Sequence, residues 1–178
     1  MLSRFLSLII GLFVFSGSVA SEPAEPSPFE HHSLGKCFEN VDSFVRAAMG
    51  NEALADPNIS RTAKGSWTWV VDQTASKNYT WYLLETRDNK FCLRVFVPAA
   101  SHVEFKKANS APRVEAFVAP SPGFPSKLIE FRATQPSEAF RPVKCYVLKD
   151  PSCKKTTSRK SISCDHIFDW GAARPCNR

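Results

Sequence analysis

The chain has 178 residues, with 23 Lys+Arg against 17 Asp+Glu for a formal net charge of +6, 43% hydrophobic residues, 13 Pro, 7 Gly and 6 Cys. That length supports one domain able to bury roughly 70% of its unfolded surface, and the composition excludes collagen, coiled-coil and low-complexity classes. Positive charge gathers late: residues 21–100 carry 8 basic and 10 acidic side chains, 101–148 carry 7 and 4, and 149–178 carry 7 and 3, a split of the kind that attracts an anionic partner.

Met1 to Arg4 form a short positive stretch, Phe5 to Phe15 are mostly apolar, and Ser18-Val19-Ala20 supplies small residues for cleavage. Residues 1–20 therefore read as a cleaved signal peptide. The apolar run is too short for a bilayer core of ~30 Å, and no later run reaches the ~18 apolar residues of a transmembrane helix. The expected location is secreted or periplasmic. Residues 21–33, with three Pro, three Glu and the pair His31-His32, have little to bury and read as a flexible lead-in.

The folded part is expected to span 34–148, with a basic Cys-rich segment, 149–178, packed on the same domain. From Cys37 to Met49 the apolar residues Phe38, Val41, Phe44, Val45, Ala48 and Met49 recur at steps of three and four, with Glu39, Asp42 and Arg46 between them. This predicts an amphipathic helix stopped by Gly50. A second short helical turn over Glu52 to Ala55 would end at Asp56-Pro57.

After Ser66 the apolar period changes to two, predicting strands at Ser66–Asp72, Tyr79–Thr86, Lys90–Val97, His102–Lys106, Arg113–Val118, Lys127–Arg132 and Val143–Leu148. Asp88-Asn89 should close a tight hairpin between the second and third of these. The expected fold class is thus α+β: an N-terminal amphipathic helix packed on an antiparallel β-meander, with a basic disulfide-bonded C-terminal hairpin and tail.

Six cysteines in an exported chain read as three disulfides. Cys37 and Cys92 would staple the helix to the sheet. A hairpin with arms Cys145–Leu148 and Ser161–Cys164 would pair Cys145 with Cys164 and leave Cys153 for Cys176. The sequential arrangement, Cys145–Cys153 with Cys164–Cys176, stands beside it. No C-x-x-C pair or H-x₃₋₅-H spacing is present, so neither a metal nor another cofactor is expected.

Lys154, Lys155, Arg159 and Lys160 crowd one segment with Trp170 nearby. They form a candidate anion site, set against a merely solvated hairpin tip. Without interleaved stacking aromatics they do not indicate specific nucleic-acid binding. Trp67 and Trp69 share one face of a strand, as do Tyr79, Trp81 and Leu83 on the next. They read as the side of the sheet that packs on the helix, with an exposed stacking platform as the alternative.

No G-x-S-x-G, H-E-x-x-H or glycine-rich phosphate loop occurs. The residues that would serve acid–base chemistry are His102 and His166 with Asp165 and Asp169. Asn58-Ile59-Ser60 and Asn78-Tyr79-Thr80 match the N-glycosylation pattern. The expectation is a non-enzymatic exported binding or inhibitory module for an anionic surface or a protein partner. Alternatives are a small secreted hydrolase or nuclease built on those histidines, and an envelope structural component.

Overall fold

Asn40 decides where the helix begins. In the computed structural model, which describes residues 33–75, 77–106, 112–119, 125–148, 160–165 and 167, a two-residue strand β1 (Cys37–Phe38) precedes α1 (Val41–Met49). Asn40 is extended, and its side chain accepts a hydrogen bond from the Ser43 backbone N–H at 2.7 Å. That cap satisfies one orphan donor and fixes the helix start at Val41, four residues later than the periodicity predicts. Gly50, at φ 94°, closes the other end and donates its N–H to the Arg46 carbonyl. A single 3₁₀ turn follows at Glu52–Leu54.

The described chain otherwise forms strands: β2 (Ile59–Lys64), β3 (Trp67–Asp72), β4 (Tyr79–Arg87), β5 (Lys90–Ala100), β6 (His102–Lys106), β7 (Arg113–Val118), β8 (Lys127–Arg132), β9 (Arg141–Val147) and β10 (Lys160–Ile162). All pairings are antiparallel. Two sheets result, ordered β1-β5-β4-β3-β2 and β10-β9-β8-β7-β6. Asp88 and Asn89 both adopt positive φ, 49° and 57°, between the paired ends Arg87 and Lys90. That backbone matches the twist of the β4–β5 hairpin and is tolerated by Asp and Asn.

The expected α+β class, a helix on a single meander, is overturned. The described residues are mostly β, 54% strand against 11% helix, because the strands divide between two sheets. The division falls at the end of β5. A register shift opposite Tyr79 and Trp81 accommodates Pro98 and Ala99, and Ala99 takes φ 56°. Ser101 then donates both its N–H, at 2.9 Å, and its hydroxyl, at 3.0 Å, to the Phe117 carbonyl of β7. Within three residues the chain has left one ladder and joined the other.

The main core lies between the sheets. Leu83, Val95, Val97 and Ala100 of the first meet Val103, Val114, Ala116, Val118, Ile129, Phe131 and Cys145 of the second, with Phe140 and Ile167 closing the ends. A smaller core lies on the other side of the first sheet, where Phe44 and Val45 join Val70, Tyr82, Leu84, Leu93 and Phe96. The first sheet is covered on both faces, so β5 reads as the continuous apolar run Phe91-Cys92-Leu93 and Val95-Phe96-Val97. Trp67, Trp69 and Trp81 are half-buried and point toward the second sheet. The expectation that this face packs on the helix is corrected.

Among the described residues two disulfides form, Cys37–Cys92 and Cys145–Cys164. Cys37 and Cys92 are directly opposed partners of β1 and β5. The first bond therefore ties strand to strand within a sheet, where a helix-to-sheet staple was expected. Cys145 faces Ile162 in the ladder, and Cys164 reaches it from two residues beyond, a diagonal with Cα atoms 5.3 Å apart. This selects the Cys145–Cys164 arrangement over the sequential one. Cys153 and Cys176 lie outside the described residues, as do the proposed signal peptide and residues 21–32 of the lead-in.

Candidate binding surface

The outer face of the second sheet carries its charges in rows. In the ladder Lys106 is paired with Arg113, Arg113 with Arg132, and Arg132 with Arg141. Four cations thus lie side by side on β6 to β9. Two residues along β6, β7 and β8, and three along β9, where a register shift adds one residue, runs a second row, Glu104, Glu115, Glu130 and Lys144. Paired residues of an antiparallel sheet share a face, and the inward positions between the two rows on β6, β7 and β8 are the half-buried Phe105 and the buried Val114 and Phe131. A third row, His102, Phe117, Leu128 and Tyr146, is mostly apolar.

Like charges directly opposite one another destabilise a sheet, and opposite charges stabilise it. This face places like against like five times, three times with cations and twice with carboxylates. Part of the cost is offset by ion pairs along the strands and diagonally between them. Lys106 Nζ lies 2.6 Å from Glu115 and 3.3 Å from Glu104, and Arg132 Nε lies 2.6 Å from Glu130. Arg113 Nε approaches Glu115 to 3.2 Å without hydrogen-bond alignment. The hydrogen bond from Lys106 to Glu115 is the main cause holding its ammonium above the ordinary lysine value, against a smaller opposing effect of desolvation. Arg141 and Lys144 are exposed, and neither makes an ion pair among the described residues.

A buried arginine fixes the end of this face. Arg94 is the extra residue of a bulge in β5, between Leu93 opposite Leu84 and Val95 opposite Leu83. A bulge re-aims the side chain it carries, and Arg94, only 2% exposed, reaches across to the loop joining β8 to β9. Its Nε donates to the Glu138 carbonyl at 2.9 Å, Nη2 donates to the Pro136 carbonyl at 2.7 Å and to Glu138, and Nη1 donates to the Glu85 carboxylate. The Trp67 and Phe140 rings lie 5.9 and 5.7 Å from the guanidinium, within cation–π range. Burial lowers the Arg94 value and the Glu85 charge opposes that. In return Phe140 donates its N–H to the Arg94 carbonyl at 2.7 Å. The loop between Arg132 and Arg141, two members of the cation row, is therefore held to the first sheet.

The sequence-derived candidates do not converge. Lys160 is exposed and faces Val147 on β10, at the opposite end of β9 from Arg141, about 20 Å along the strand. Lys154, Lys155, Arg159 and Trp170 lie outside the described residues, as do His166 and Asp169. His102 sits on β6 and Asp165 follows β10, on opposite edges of a five-stranded sheet, roughly 19 Å apart across the strands. Asp165 accepts a hydrogen bond from the Ser163 hydroxyl at 2.8 Å. No group of three or more His, Cys, Asp or Glu able to hold a metal occurs among the described residues.

The cation row was absent from the sequence-derived candidates, although a signal for it exists. Glu104-x-Lys106, Arg113-x-Glu115 and Glu130-x-Arg132 reverse their order on the middle strand. Antiparallel pairing of such a set aligns like with like. Comparison with protein families, with curated proteins and with solved structures found no match.

Proposed function

We propose that the protein is an exported, non-enzymatic binding module whose outer sheet face engages an anionic partner. One observation carries this reading: same-sign charges stand opposite one another across four strands, where alternation would serve stability better. Two disulfides, no described helix long and apolar enough to cross a membrane, and the N-terminal signal pattern support a secreted or periplasmic location. The disulfides and the Arg94 anchor make the face rigid, which lowers the ordering cost of binding.

The test is salt-dependent retention on immobilised heparin. The wild type should be retained at low salt and released as salt rises. Arg132→Gln with Arg141→Gln should elute at clearly lower salt, while Lys154, Lys155, Arg159 and Lys160 changed together to Ser should elute close to wild type. Absence of retention, or loss only in the C-terminal variant, overturns the assignment of this face.

A further inference from the structure

We infer that the occupant of this face is a single linear anionic polysaccharide chain lying across the strands, an inference that rests on the anion-binding reading above. The four cations Lys106, Arg113, Arg132 and Arg141 form one line. At about 4.8 Å per strand, three steps span about 14 Å, the scale of a short run of charged sugar units. The carboxylates of Glu104, Glu115 and Glu130 border that line on one side only.

A flat anionic bilayer would press against both rows at once and meet the carboxylates with like charge. A narrow chain follows the cations and avoids them. The carboxylates thus act as a fence that sets both the direction and the width of the ligand, a repulsive contribution to specificity. The aromatic residues of this face among those described, Phe117 and Tyr146, lie in the third row, beyond the carboxylates. Among the described residues, bases held on the cation line would have no ring beside them to stack on, which favours a sugar polymer over single-stranded nucleic acid.

Glu115 marks the fence most clearly, because it contacts both Lys106 and Arg113. Glu115→Gln removes a repulsive charge and frees two cations, so it should strengthen binding to any polyanion and relax the preference for a narrow one.

The experiment titrates full-length processed protein with heparin-derived oligosaccharides from disaccharide to decasaccharide, with phosphatidylglycerol vesicles, and with a single-stranded oligonucleotide of matched charge. Affinity for the sugars should climb with length and level off once the row is spanned. Arg132→Gln with Arg141→Gln should lower the slope of log affinity against log salt by about two. Arg141→Gln alone, which breaks no ion pair among the described residues, should lower it by about one. Glu115→Gln should gain most on vesicles.

Affinity independent of length, vesicles bound as tightly as the decasaccharide at equal anionic group concentration, or tighter binding of the oligonucleotide would each overturn the inference. Those results leave the anion-binding face standing. Binding to none of the three probes overturns both.

Discussion

Arg94 and Glu85 form an ion pair on neighbouring strands of the first sheet, with the arginine side chain 3% exposed and the glutamate 20%. The pair is one part of a larger junction. The same guanidinium accounts for the carbonyls of Pro136 and Glu138 and lies beside the Trp67 and Phe140 rings, so one side chain joins the first sheet to the loop that carries the edge of the binding face.

Removing one member of a buried pair leaves the other without compensation, typically at a cost of about 3–5 kcal/mol. Arg94→Met should therefore destabilise the protein by about 3 kcal/mol or more, measured by urea unfolding. Arg94→Lys should recover only part of the loss, since an ammonium cannot reproduce the fork of donors. Adding Glu85→Leu to Arg94→Met should also recover only part, because the two loop carbonyls still lack donors. A near-neutral Arg94→Met would mean that the loop is held by other contacts.

Reduction should lower stability at both ends of the molecule. The Cys37–Cys92 bond closes 55 residues and Cys145–Cys164 closes 19, for which chain entropy gives about 4 and about 3 kcal/mol. Melting with and without reductant, repeated on Cys37→Ser/Cys92→Ser, separates the two. A melting temperature unchanged by reductant contradicts the prediction.

The two cores should respond differently to truncation. Phe44 is fully buried, with edge contacts to Phe38 at 5.3 Å and Tyr82 at 5.2 Å, so Phe44→Ala should cost about 3–5 kcal/mol. Trp81 is half-buried, yet its indole N–H donates to the Ala100 carbonyl at 2.7 Å where the chain crosses between sheets. Trp81→Phe keeps a ring but orphans that carbonyl, and should cost about 1–3 kcal/mol. Equal and negligible losses would place neither residue in a core.

Lys106 offers a check on the charged rows. Its hydrogen bond to Glu115 raises its value in the folded protein. The stabilisation linked to this group is therefore complete below the ordinary lysine value and is lost as pH climbs through the higher folded value. Between neutral and mildly alkaline pH no change from this source is expected. An NMR titration of the Lys106 side chain should give a midpoint above that of an ordinary lysine, and Glu115→Gln should bring it down. A midpoint already at the ordinary value would mean that the contact does not persist in solution.

The strands after Ser66 were largely legible in the sequence because most alternate with a period of two, and the β4–β5 hairpin because Asp88-Asn89 suits its turn; β2, with one buried residue in six, carries no such pattern. The division into two sheets was not. It depends on Ala99, an ordinary residue at positive φ, and on bulges that leave no mark in composition. One clue was present: the apolar run from Phe91 to Val97, broken only by Arg94, belongs to a strand buried on both faces, which a helix on a single meander does not require. The helix was read too long because Phe38 fits its spacing, whereas Asn40 sets the boundary. The basic segment drew attention by local density. The cation row is scattered over 36 residues of sequence, from Lys106 to Arg141, and becomes visible only once strand register is known.

The central claim is that the ligand lies along Lys106, Arg113, Arg132 and Arg141. Chemical-shift mapping by NMR during titration with a heparin-derived decasaccharide tests it most directly. The largest changes should fall on the arginine Nε–Hε groups and backbone amides of these positions across β6 to β9, with little at Lys160. Changes confined to Lys160 and its chain neighbours, or an unperturbed second sheet, would contradict it.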